Sequence, residues 1–328
     1  MSTAAISLIR VATPASTNGN RFMLVSSMDS PACVSRPKGA IDLARIRFSQ
    51  IERLGFAGFI GRPFTKPEAC PSSSPGSRPL RFARVCVLQW RAVDKTVAIV
   101  QSNYIPWIGY FDLINAADTF ILFDEVQFTR RDWRNRNRIR TADGVAWLTI
   151  PVESKGRFHQ RISETRVSDP GWARDHWTTI VRAYARAAGF ETHRPLLEDL
   201  YLGCAETQLS RINERFLRGI CGALGIATPI TQSSEYELVD GRTERLVSLC
   251  RQAGATTYLT GPGARTYLDE ALFADAGIRV EWMTYPDYGE YRQLHQPFEP
   301  GLSIVDLLLN EGTCAPMRLP ARVRTLHG

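Results

Sequence analysis

Twice in a short stretch an apolar strand runs straight into polar side chains, and this most limits how the chain can fold. Residues 97–100 (Val-Ala-Ile-Val) end in Gln101, Ser102, Asn103 and Tyr104, and residues 120–123 (Phe-Ile-Leu-Phe) end in Asp124 and Gln127. Such runs are apolar at every position, the pattern of strands covered on both sides in a parallel sheet. The segment between them, 107–117, fits one crossover helix, with Tyr110, Leu113, Ile114 and Ala117 turned inward. Ligands of open α/β sheets bind at the carboxyl ends of strands. The place of a site is therefore legible before its chemistry.

The alternation continues. A strand is expected over 147–152, and helices over 172–188, 195–201 and 207–224. A strand follows at 228–231, a helix from Thr243 to Gly254, and a strand at 258–261. The series closes with a helix over 266–275, a strand over 279–284 and a helix over 303–310. Leu209, Ile212, Phe216, Ile220 and Leu224 recur on one helical face. Ser303 with Asp306 three residues on resembles a capping box. The expected architecture is a mainly parallel, Rossmann-like sheet with helices on both faces and a helical insertion over about 172–224.

Residues 1–92 read differently. They carry 13 Lys+Arg against 4 Asp+Glu, whereas the rest carries 27 against 29. The basic excess thus lies outside the folded body and is no argument for nucleic-acid binding by it. Pro, Ser, Gly and Arg recur there without period, and only 41–56 could make a short helix. The expectation is a disordered extension, or upstream sequence translated from a misplaced start, preceding one α/β domain over 93–328. An organelle transit peptide is the alternative. No apolar run is long enough to span a bilayer, and a cytoplasmic location is expected. The seven cysteines are scattered, without a CxxC pair, and are expected to be reduced. Cys221 and Cys250 fall on apolar helix faces. No metal-ligand spacing appears, and no cofactor or oligomeric state is indicated.

Five groups could carry chemistry. Gln101, Asn103, Tyr104 and Trp107 lie at a strand end before a helix N-terminus, a place suited to an anion, or else form a packed turn. Asp124 with Gln127 offers a base, a ligand or a cap. Within 130–138, Asn135, Arg136 and Asn137 stand out in an arginine-rich loop suited to phosphate or carboxylate, or to nucleic acid with Trp133 as a stacking platform. Gly261, between Thr260 and Pro262, would allow close backbone approach to a ligand, with Tyr267 beyond. A tyrosine-rich stretch, 285–296, could form a lid. His159, His176 and His193 have no acid or nucleophile nearby in sequence and are expected to be structural or exposed.

The runs VQSNYIPWIGYFDLINAADTFILFDEVQFTRRDWRNRNRI, WLTIPV, YLTGPGARTYL and LSIVDLLLNEG resemble the WbqC-like protein family over about 97–312. The family's usual opening has a proline where this chain has Ser102. The resemblance implies a role in bacterial surface-polysaccharide or related biosynthesis, with acyl or aminoacyl (glycyl) transfer suggested. It carries over Gln101, Asn103, Tyr104, Trp107, Gly109, Tyr110, Asp124, Gln127, Asn135, Arg136, Asn137, Gly261, Tyr267, Ser303, Asp306 and Asn310. On this reading Asp124, Asn103 and Tyr104 are catalytic, and the others bind a small-molecule, sugar or acyl substrate. A non-catalytic sugar- or nucleotide-binding protein is the alternative, and nucleic-acid binding through 130–138 the second.

Overall fold

A computed structural model of the chain describes residues 5–10, 22–27 and 94–320. These fall in two units, 1–92 and 93–328. In the first, strands β1 (Ala5–Arg10) and β2 (Phe22–Ser27) pair antiparallel. The expected helix over 41–56 and the rest of the expected disordered extension lie outside the described residues.

The second unit is built on five parallel strands in the order β7-β4-β3-β8-β9. These are β3 (Thr96–Val100), β4 (Thr119–Leu122), β7 (Ile230–Gln232), β8 (Thr257–Thr260) and β9 (Arg279–Trp282). Every residue of β4 and β8 is buried, as continuous apolar runs in central parallel strands require. The edge strand β9 alternates, and its exposed Arg279 and Glu281 pair at 3.0 Å. Charged side chains there discourage further strand pairing.

One face of the sheet is covered by α1 (Ile108–Ala116), a helical block and α7 (Ile304–Glu311). The block comprises α2 (Trp172–Tyr184), α3 (Phe190–Leu202) and α4 (Leu209–Ala223). The opposite face is covered by α5 (Thr243–Gln252) and α6 (Glu270–Asp275). Helices on both faces and the helical insertion are thus present. The predicted face of α4 is the one buried: Leu209, Ile212, Phe216 and Ile220 are sealed in the core. Truncating Phe216 would cost about 3–5 kcal/mol. The α2–α3 connection meets the end of α7 so closely that a Cβ on Gly189 would lie 2.5 Å from Gly312 Cα, so a side chain there would force the two elements apart.

Three expectations are corrected. The arginine-rich segment is only partly loop. Residues Arg136–Thr141 form β5, antiparallel to β6 (Gly144–Thr149). Asn137 and Ile139 face inward while Arg136, Arg138 and Arg140 face out, a period of two that the run of positive charge conceals. The segment expected as one helix over 266–275 is a 3-10 turn, Pro262–Thr266, and then the short α6. Ser303 does cap α7, its hydroxyl accepting from Val305 N at 3.2 Å. Asp306 does not complete a capping box. It turns instead toward Tyr184, Tyr291 and Gln293.

Candidate functional site

The chain runs from β3 through α1 to β4 on one side, and returns through α5 to β8 on the other side of β3. The carboxyl ends of β3 and β8 therefore flank the point where the winding reverses, where ligands bind in open α/β sheets. Gln101, Ser102 and Asn103 stand at one side of this crevice and Gly261 at the other. The Tyr285 hydroxyl lies 3.5 Å from where a Gly261 Cβ would sit. Trp107, partly exposed, packs edge-on to Tyr288 and tilted against Tyr285, with ring centroids 5.9 and 5.2 Å apart. Gly109 leaves room for the Trp107 ring, which a Cβ there would strike.

Asp124 lies two residues past the end of β4 and is 1% exposed. One carboxylate oxygen accepts the backbone N–H of Ser102 at 2.8 Å, while Oδ2 has no hydrogen-bond partner among the described residues. Burial pushes its pKa up to about 6, against the pull of the Ser102 hydrogen bonds and of the Arg134 charge. Asn213, on α4, donates to the Ser102 hydroxyl at 3.0 Å and to Arg134 O at 2.9 Å, and its Oδ1 is likewise without a partner. Two buried acceptors thus sit around Ser102, and a buried acceptor left unpaired is costly. A hydroxyl or amine donor is what they can receive.

Arg134 is the cation of this cluster. Its guanidinium donates to Asn103 Oδ1 and, at 3.2 Å, to Gln101 Oε1, with Asp132 at 3.7 Å. Tyr110, buried, donates to Gln101 O at 2.8 Å and fixes that strand end against α1. Neutral amides are weak competitors for a guanidinium compared with a phosphate or carboxylate.

The turn after Asn103 is over-determined. Ile105 has φ 37°, a left-handed conformation unfavourable for a branched residue. It is held by Asn137, which donates to Tyr104 O and Ile105 O, and by the Ser303 hydroxyl, which donates to Ile105 O at 2.7 Å. Asn137 and Ser303 therefore shape the turn from outside the crevice.

The structure brings Gln101, Asn103, Trp107, Tyr110, Asp124 and Gly261 to one end of the sheet and distributes the other expected residues elsewhere. Tyr104 is fully buried in the helical block, its hydroxyl 2.7 Å from that of Tyr201 and 2.9 Å from His176 Nδ1. It anchors the turn to the core. His176, whose Nε2 contacts Thr149 O, has its pKa lowered to about 4 by burial. Gln127 is exposed and donates to Phe158 O. Asn135 and Arg136 line a separate cavity beside β5 and β6. Tyr267 is exposed, with the Arg242 guanidinium 4.0 Å from its ring centre. Asp306 and Asn310 hold α7 to the 285–303 stretch, with Asn310 accepting Leu294 N at 2.8 Å. Arg134, Ser102 and Asn213 were not singled out from the sequence. Arg134 stood in the arginine run, but Asn213 lies 111 residues from Ser102 with no local signal. Among the described residues no group of three or more His, Cys, Asp or Glu could hold a metal ion, and no helix is long and apolar enough to cross a membrane.

Comparison with known proteins gives two matches. The WbqC-like protein family matches residues 101–317. The chain is 53% identical over 222 residues to Uncharacterized protein Rv1507c of Mycobacterium tuberculosis, covering 68% of this chain and 96% of that protein. No solved structure matches.

Proposed function

From the premise that this chain belongs to the WbqC-like protein family, we propose that it is a transferase acting on an activated sugar or acyl donor. The site is the crevice at the carboxyl ends of β3, β4 and β8, and the setting is surface-polysaccharide or related biosynthesis. The observation that carries this reading is the buried Asp124, with one unpartnered oxygen and a pKa raised to about 6, beside an arginine that donates to two neutral amides. A carboxylate tuned toward neutrality suits a general base.

An anionic group of the donor draws Arg134 away from Gln101 and Asn103, and that movement opens a path to Asp124. The acceptor's hydroxyl or amine donates to Asp124 Oδ2, with Asn213 Oδ1 orienting it. Asp124 takes the proton as the acceptor heteroatom bonds to the electrophilic carbon of the donor. The leaving group departs with its electron pair, its negative charge met by Arg134. Trp107 and Tyr285 flank the mouth of the crevice.

The test is a thermal-shift screen of the full chain against nucleotide sugars, acyl-coenzyme A thioesters, aminoacyl donors and nucleotides, each with and without Mg²⁺. One class should stabilise the protein, by about 2.7 kcal/mol at a hundredfold excess over Kd. Arg134→Ala should lose that shift. Asp124→Asn should keep it while turnover falls by about 10²–10⁴-fold. Turnover of the wild type should rise with pH through about 6 as Asp124 ionises. Full binding and no turnover by wild type with any acceptor would leave a binding protein in place of an enzyme.

A further inference from the structure

A second cavity, of about 560 Å³, opens beside the β5–β6 hairpin. Its volume suits a small ligand. Its lining includes Arg130, Arg131 and Arg136 and no carboxylate, and shares no residue with the crevice cluster. Four other arginines near this stretch, Arg134, Arg138, Arg157 and Arg161, each have a carboxylate within 4 Å. Among the described residues Arg130, Arg131 and Arg136 have none. Arg130 donates to Ser154 Oγ at 3.2 Å, and Arg136 Nη2 to Arg131 O at 2.5 Å. Arg131 adopts φ 60°. Three guanidiniums held together with no counter-charge leave a field that an anion would relieve.

The neighbouring surface is aromatic. Trp133 and Trp147 are 42% and 46% exposed, with ring centroids 5.7 Å apart and planes tilted by 31°. Arg136 links the two features, lining the cavity while its guanidinium lies 4.2 Å from the Trp147 ring centre. Large exposed aromatics set side by side offer a stacking surface for a flat ring. Inside the cavity Asn135 is buried and donates to Ile150 O, while its Oδ1 has no partner. That oxygen calls for a donor, such as a sugar hydroxyl or an exocyclic amine.

We propose that this cavity binds a nucleoside phosphate. The phosphate is held by Arg130, Arg131 and Arg136, a ligand donor meets Asn135 Oδ1, and the base stacks on the Trp133–Trp147 surface. The near-balanced charge of residues 93–328 favours a small nucleotide over a polymer, which would need a basic track beyond three arginines. The site stands whether or not the crevice is a transferase centre.

The experiment is a titration of intrinsic tryptophan fluorescence in the full chain. The probes are adenosine diphosphate, uridine diphosphate, adenosine, inorganic phosphate and a short single-stranded oligonucleotide. A nucleoside diphosphate should quench saturably. Adenosine and inorganic phosphate should each bind about tenfold or more weaker, since each lacks one half of the recognition. Arg130→Gln with Arg131→Gln, both exposed positions whose folding is checked by circular dichroism, should weaken binding by about tenfold or more. Trp147→Phe should retain most affinity and Trp147→Ala should lose about tenfold. Arg134→Ala removes the crevice cation, so saturable quenching that persists in this variant belongs to the cavity beside β5 and β6. Absence of saturable quenching by both diphosphates would overturn the proposal. So would equal affinity in the double arginine variant, loss of binding in Arg134→Ala, or binding of the oligonucleotide alone.

Discussion

Asp124 and Asp306 are both buried carboxylates, at 1% and 0% exposure, yet their surroundings are opposite. Asp306 is saturated: Tyr184 donates to one oxygen at 2.6 Å, and Tyr291 and Gln293 donate to the other at 2.6 and 2.9 Å. Asp124 has the Ser102 N–H on one oxygen and an unpartnered Oδ2. Burial raises the pKa of both. Burial alone therefore does not distinguish a structural acid from a reactive one; the unfilled acceptor does. A saturated carboxylate fixes the elements that donate to it, here α2, the 285–303 stretch and α7. An unsaturated one keeps a position for a group still to come.

Removing the saturated acid should produce the largest effect. Asp306→Ala takes the acceptor from the Tyr184 and Tyr291 hydroxyls and one of the acceptors from the Gln293 amide, and should lower stability by about 3–5 kcal/mol in urea unfolding. A loss below about 1 kcal/mol would mean that the donors find other partners, and the contrast between the two acids would fail.

Asp124→Asn should act in the other direction, and with pH. The folded pKa of Asp124 is raised to about 6, above that of a carboxylate in the unfolded chain. The wild type is therefore helped by this group below about pH 4 and loses that help as pH rises toward 6. Asparagine keeps an acceptor for Ser102 N–H and never ionises. The variant should gain on the wild type by about 3 kcal/mol between pH 4 and pH 8, from a shift of about two units. A difference that stays constant with pH would show that Asp124 titrates normally and is not held in a desolvated site.

Much of this layout was legible in the sequence. The apolar runs at 97–100 and 120–123 marked central parallel strands, and the polar residues after them marked the end of the sheet that holds Gln101, Asn103 and Asp124. What was hidden has physical causes. Arg134 and Arg136 stand two residues apart in one charged run, yet Arg134 precedes β5 and turns to the crevice, while Arg136 sits on the outer face of the strand over Trp147. Composition cannot separate them, and neither can the alternation of Asn135, Asn137 and Ile139 as inward residues, which puts both arginines on the same side; what divides them is that β5 begins only at Arg136. Tyr104 entered the site through the resemblance, but its side chain leaves the crevice for His176 and Tyr201, as the packed-turn reading of 101–107 allowed. Asn213 contacts Ser102 only through the tertiary fold.

The smallest effect concerns Ser102, which stands where the family's usual opening has a proline. Its N–H is the hydrogen bond to Asp124 that proline could not make, and its hydroxyl accepts from Asn213. Ser102→Ala keeps the N–H and removes the hydroxyl. Asp124 then loses one of the interactions that hold its pKa down, so the midpoint of the pH–rate profile should move upward from about 6. Asn213 also loses an acceptor, which should lower stability by about 1 kcal/mol. Ser102→Pro removes both interactions and should move the midpoint further in the same direction. A midpoint that stays put in both variants would mean that Ser102 supports the turn alone, and that the proton chemistry of Asp124 is set by Arg134 and burial.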